Sequence, residues 1–355
     1  MKKNKNINIF KVIFLLFAQY FAAFAQIPQG YYDAAQGKIG AELKSALHEI
    51  ILDHTPLSYD ALWTAFEKTD VAEDGAVWDM YSECVFEFFI NQCGRGNART
   101  TCDCYNREHS FPKSWFGGEI MPMFTDLFHL YPTDAIINSQ RNNFPYGEVG
   151  ETNTIKENGK GKYGRARAGL GHTGTVYEPD DEYKGDFART YFYIVTRYED
   201  IIEDWYENAG AKQMLDGSPY PAFKEWALQM LLRWHENDPV SQKEIDRNNE
   251  IYKLQENRNP FIDNPLYVRN IWLNEPQIVA VNREFYNKKG TVSIVIQNRI
   301  LRINANAKNI QKARIYSANG KIIKEFNENS VDLSGLSKGI YLLKLPKTSL
   351  KFTLE

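Results

Sequence analysis

The chain is short of net positive charge. Its 42 lysines and arginines stand against 45 acidic residues, for a formal net charge of −3. Four of those lysines, Lys2, Lys3, Lys5 and Lys11, lie in the first 25 residues, so the remainder sits at about −7. That balance excludes a polyanion binder held by whole-molecule charge, and any nucleic-acid contact must come from a local basic cleft. Long apolar runs are also missing. After residue 25 no stretch approaches the ~20 residues of a membrane span, so stable membrane insertion is not expected. Cysteine is scarce, with four residues. All lie between 84 and 104, spaced C-x8-C-x8-C-x-C, which is no zinc pattern.

What is present begins with an export signal. A basic start precedes an apolar run over residues 9–24, and Ala23-Phe24-Ala25 has the small-x-small form of a cleavage site. Residues 1–25 are therefore expected to be a signal peptide. An exported chain meets oxidising conditions, so Cys84, Cys93, Cys102 and Cys104 are expected to form two disulfides, with three connectivities open. At 355 residues the chain has length for two domains. Its 14% aromatic content favours a packed core over disorder.

The densest chemistry lies in residues 105–149. Glu108 and His109 are adjacent, so on a strand they point to opposite faces. A carboxylate is a hard ligand suited to Mg²⁺ or Ca²⁺, and a neutral imidazole can take a proton from water near pH 7. After Pro132 the chain can form a short helix to residue 141, with Thr133 or Asp134 as N-cap. Asn138 on that helix offers a second hard oxygen. Arg141, three residues on, shares its face and suits a phosphate oxygen.

This arrangement resembles the ββα-metal (His-Me finger) nucleases, and most closely the bacterial extracellular and periplasmic endonuclease I family. The residues that carry it are Arg107-Glu108-His109-Ser110-Phe111-Pro112, Thr125-Asp126-Leu127, His129-Leu130, Pro132 and the run from Asn138 to Phe144. Ala188-Arg189-Thr190-Tyr191-Phe192-Tyr193 and Asn257-Arg258-Asn259-Pro260-Phe261 form two further blocks. The resemblance spans residues 30–275. It implies one metal ion, Mg²⁺ with Ca²⁺ as the other choice, held by Glu108 and Asn138, and His109 as general base. Two departures stand out. Many members read Asp-Leu-His-His-Leu where this chain has Phe128. Some carry an arginine soon after the Glu-His pair, whereas residues 113–124 contain none. Arg141 and Arg189 are the candidate phosphate cations in its place. Arg189 has a second reading, as a buried arginine paired with a carboxylate. His129 is read either as a substrate contact or as a core histidine.

Elsewhere the signals are coarser. Amphipathic helices are expected at 41–52, from Ser58, at 186–205, at 222–235 and at 242–255. Residues 77–81 read as a strand entering the site. Residues 147–174 are polar and glycine-rich. They read as a flexible basic lip, with Lys162, Arg165 and Arg167 on the phosphate backbone, or as an ordinary solvated excursion. From residue 291 short alternating strands take over. The runs 315–321 and 331–341 resemble the C-terminal sorting domains of type IX secretion, which address a periplasmic protein to outer-membrane machinery.

The expected fold class is α+β: a ββα-metal core within a mainly helical domain, then a small all-β sandwich. The expected domains are a catalytic unit at 26–275, a linker at 276–290 whose residues 276–289 also read as a weak strand, and a sorting domain at 291–355. The expected function is a secreted or cell-surface endonuclease, exported via the periplasm. It cuts DNA, RNA or both with little sequence preference, since nothing resembles a groove-reading helix. The alternative is a non-catalytic surface binding protein that keeps the ββα fold as scaffold.

Overall fold

The structure is a computed structural model. It describes residues 27–94, 98–153, 156–274, 283–287, 290–297, 300–305, 312–317, 320–333, 335–337, 339–345 and 348–354. The expected signal peptide lies outside them. The chain divides into two compact units, Met1–Glu275 and Pro276–Glu355. Among the described residues no helix is long and apolar enough to cross a membrane.

The first unit is α+β. Its helices include α1 (Gly40–Ile51), α2 (Ala61–Thr69), α3 (Ala135–Arg141), α4 (Lys184–Arg197), α5 (Glu225–Asn237), α6 (Gln242–Gln255) and α7 (Leu266–Trp272). Strands β1 (Tyr105–His109) and β2 (Leu130–Asp134) form an antiparallel pair, with Glu108 opposite Tyr131 and His109 opposite Leu130. β3 (Val149–Asn153), β4 (Lys162–Ala166) and β5 (Thr175–Glu178) form a three-stranded sheet. The expected flexible lip is thus partly a paired hairpin. Its polar strands are anchored by β5, which buries Val176 and Tyr177.

Helix α4 is the centre of this unit, and every residue from Gly185 to Arg197 is buried. It ends at Arg197, and the rest of the span expected to be helical follows as a 3₁₀ turn at Glu199–Ile201 and a short α-helix at Ile202–Trp205. Glu199 is pinned there by Lys44 at 2.8 Å and Ser45 at 2.5 Å, both on α1, and Tyr198 OH reaches Asp126 at 3.0 Å. These tertiary bonds lie at the break between the two helical stretches. Residues 77–81 also depart from expectation. Asp79 accepts bonds from Tyr81 N, Ser82 Oγ and Asp134 N, so its side chain folds this stretch into a turn.

Helix α6 braces the loop into β2. Its capping box is complete, with Ser241 and Glu244 bonding reciprocally. Arg247 ties Asp70 to the carbonyls of Leu127 and Leu130. The block around Asn257 folds back on α4 through Asn257 to Tyr193 OH and Asn259 to the Arg189 carbonyl.

The second unit holds two four-stranded antiparallel sheets, ordered β10-β9-β12-β13 and β11-β8-β7-β6. The strands are β6 (Arg283–Asn287), β7 (Gly290–Gln297), β8 (Ile300–Ala305), β9 (Ala313–Ser317), β10 (Ile322–Phe326), β11 (Ser330–Asp332), β12 (Gly339–Leu345) and β13 (Thr348–Leu354). β6 falls inside the expected linker and pairs with β7. Inward residues such as Ile315, Tyr341, Leu343 and Phe352 form a separate core.

Candidate active site

A cleft of about 390 Å³ opens where β1 meets α3. Its lining includes Asn106, Arg107, Glu108, His109, Lys113, Asn138, Arg141 and Asn142. Strand β1 has one partner strand, β2, and beyond Tyr105, which bridges Gln92, no described strand pairs with its other edge. An open edge lets side chains from both faces reach one cleft. Hence Glu108 and His109, though adjacent, line the same space.

Helix α3 is fixed at its start. Asp134 caps it by accepting from Ile136 N and Ile137 N at 2.9 Å, and its other oxygen takes Cys102 N at 2.7 Å. Asn138 then faces β1. Its amide donates to Asn106 Oδ1 at 2.8 Å and bonds the Glu108 carboxylate.

Glu108 is buried. Tyr81 OH donates to its Oε1 at 3.0 Å, and Tyr81 pairs with Tyr146 OH at 2.7 Å. Arg141 Nε lies 3.5 Å from the same oxygen, beyond a good hydrogen bond. Burial raises the Glu108 carboxyl above its ordinary range, against the opposing pull of Arg141. The pocket therefore holds a carboxylate whose charge is only partly compensated. With the Asn138 amide beside it, the donor set is two hard side chains facing open cleft. That fits a small hard cation better than a closed cage of six to eight oxygens.

His109 Nε2 lies 3.0 Å from the Phe124 carbonyl. A carbonyl only accepts, so Nε2 carries the proton and Nδ1 holds the free lone pair. The ring is stacked on Phe124 at 5.2 Å. Burial first, then the nearby His129, hold its pKa well below the ordinary imidazole value. The ring is neutral at neutral pH and ready to accept a proton.

The structure chooses between the readings of Arg189 and His129 and corrects those of Arg141 and of Lys162, Arg165 and Arg167. Arg189 is fully buried, with Nε at 2.5 Å and Nη2 at 2.7 Å from the Glu244 carboxylate, and does not line the cleft. Its buried ion-pair reading is the observed one. Arg141 lines the cleft but is 1% exposed, and its guanidinium serves the Ser110 and Asn142 carbonyls. It backs Glu108 instead of facing an incoming phosphate. His129 is a core histidine with Nε2 on the Met123 carbonyl at 2.7 Å, packed behind His109. Lys162, Arg165 and Arg167 do not line the cleft. Lys162 pairs with Glu178, Arg167 pairs with Glu148, and Arg165 is exposed on β4.

Three further residues line the cleft without a role in the sequence reading. Asn106 orients Asn138, and its position two before Glu108 on one strand face was the available signal. Lys113 is half-exposed on the wall opposite α3, 3.1 Å from the exposed Glu119. A search for arginine after the Glu-His pair overlooks this lysine. Arg107 is the third. The disulfides are Cys84–Cys102 and Cys93–Cys104, and Cys93 lies on the cleft rim.

With this geometry in hand, the similarities carry more weight. Residues 39–266 match the family model described as Endonuclease I, and residues 297–354 match the one described as secretion system C-terminal sorting domain. An extracellular ribonuclease of Bacillus amyloliquefaciens is 38% identical over 247 residues, covering 68% of this chain and 78% of that protein. One from Bacillus subtilis (strain 168) is 37% identical over 246 residues, with the same coverage of 68% and 78%. An endonuclease-1 of Buchnera aphidicola subsp. Acyrthosiphon pisum (strain APS) is 28% identical over 138 residues, 39% of this chain and 44% of that protein.

Proposed function

The chain belongs to the endonuclease I family, and from that premise we propose how its cleft cuts nucleic acid. The protein is a secreted or cell-surface nuclease, with a sorting domain at its C-terminus. We read β1, β2 and α3 as its ββα-metal unit, and the two C-terminal sheets as a β-sandwich that addresses the chain to outer-membrane export machinery.

The family generally works with a divalent metal. Here Glu108 and Asn138 would hold it, and their small number and hard oxygens favour Mg²⁺ over Ca²⁺. When bound, the ion supplies Lewis-acid stabilisation of charge on the phosphate. The protein's own part is positioning and proton transfer. Tyr81, Arg141 and Asn106 fix the ligand side chains. His109 takes a proton from the attacking water at Nδ1 while Nε2–H stays on the Phe124 carbonyl. The water oxygen bonds to phosphorus, the ester bond to the leaving oxygen breaks, and that oxygen takes a proton from solvent. Lys113 is a half-exposed cleft cation open to the scissile phosphate, in place of the buried Arg141 and Arg189.

The observation that carries this reading is the meeting of Glu108, His109 and Asn138 in one cleft from two elements. The cleft's cations and amides suit the backbone more than base edges, so both RNA and DNA are proposed substrates. The test is digestion of total RNA and plasmid with Mg²⁺, with EDTA and with His109→Ala. We expect cutting in the first condition alone. A folded His109→Ala protein that cuts at the wild-type rate refutes the assignment of the base.

A further inference from the structure

We propose that Arg107 holds the phosphate one nucleotide away from the scissile one, so that the cleft binds two consecutive phosphates. The inference rests on the catalytic reading of Glu108 and His109 above.

Arg107 is prepared for an anion in three ways. Its guanidinium carbon lies 3.4 Å from the Tyr59 ring centroid and 4.4 Å from that of Trp63. Its Nη1 donates to the Tyr59 carbonyl at 2.5 Å. Its side chain is 12% exposed and opens on the cleft, which Tyr59 also lines. Stacking and the carbonyl bond fix the guanidinium plane before any ligand arrives, so less ordering remains to be done on binding. Its one acidic neighbour, Asp60, is 3.8 Å away and 98% exposed, a pair too solvated to neutralise it.

Position decides which phosphate it meets. Arg107 and His109 are two residues apart on one face of β1, and the His109 ring and the Arg107 guanidinium share Tyr59, with His109 stacked toward it at 6.4 Å. Two strand residues span about 6.6 Å. That repeat is close to the span of one nucleotide of backbone. A phosphate at His109 therefore places its neighbour at Arg107, where a planar guanidinium suits bidentate phosphate contact. A role confined to packing predicts no such pairing.

The decisive measurement is the salt dependence of single-stranded oligonucleotide binding. It is made in the full chain carrying His109→Ala, with and without Arg107→Gln. Loss of one phosphate contact reduces the slope of log affinity against log salt by about 0.7. Arg107→Lys keeps the slope, because the charge remains. An unchanged slope in Arg107→Gln overturns the proposal. A second measurement needs no variant at this position. A nucleoside 3′,5′-bisphosphate spans both positions, so it inhibits wild-type cutting about tenfold more strongly than either monophosphate. Equal inhibition also overturns the proposal. Wild-type protein that cuts no nucleic acid defeats the nuclease reading instead, a result separate from the slope.

Discussion

His109 is set for its task by one hydrogen bond and by its burial. Nε2 is committed to the Phe124 carbonyl, and burial beside His129 keeps the ring from charging. The sign follows directly. A base whose pKa is depressed stays unprotonated as pH falls, so the acid limb of kcat/KM is expected below pH ~6.5, the ordinary imidazole value. A limb at or above that value counts against His109 as the base. Arg189 gives the opposite kind of residue. Breaking its buried pair with Glu244 leaves an uncompensated charge, so Arg189→Met is expected to cost about 3–5 kcal/mol of stability. The activity of the molecules that remain folded should be unchanged, and denaturant melts with activity assays check both. Glu108, His109 and Asn138 were legible in sequence because they lie within 31 residues and chemistry names them. For Arg189 the buried ion pair was legible as one of two readings, but the partner was not, because Glu244 lies 55 residues away.

At the scale of elements, the site depends on how α3 is aimed. Asp134 serves the first turn of α3 with one oxygen and the Cys102 amide with the other, and its own amide is held by Asp79. One carboxylate thus couples the disulfide loop to the helix that carries Asn138. Asp134→Ala is expected to cost about 1–2 kcal/mol from the cap alone. It should also shrink the rise in melting temperature on adding Mg²⁺, since Asn138 loses its fixed approach to Glu108. An undiminished Mg²⁺ shift in a destabilised variant argues that α3 is held by packing instead. The helix and its cap could be read from Thr133-Asp134 and the unbroken run that follows. The hairpin of β3 and β4 could not. Its strands are mostly polar, and their pairing is dictated by β5, so no local apolar period announces them.

At the scale of the molecule, catalysis and export are assigned to separate bodies. The core of the first unit draws on residues from Ala35 to Trp272, and that of the second on residues from Ile296 to Phe352, with no residue in common. The change to short alternating strands was legible near residue 291, whereas β6 was legible only as a weak strand set against a linker, because its run sits among linker-like residues. Both disulfides lie within the first unit, so its bracing does not depend on the second. Removing residues 276–355 should therefore leave the nuclease intact. Scanning calorimetry of the full chain is expected to show two transitions, one of which persists in the 27–274 fragment within a degree or two. Its cutting rate with Mg²⁺ should match that of the full chain. A fall of many degrees, or loss of cutting in a folded fragment, would mean that the strands of the second unit support the first. The proposal that they act as an export address would then need a structural role beside it.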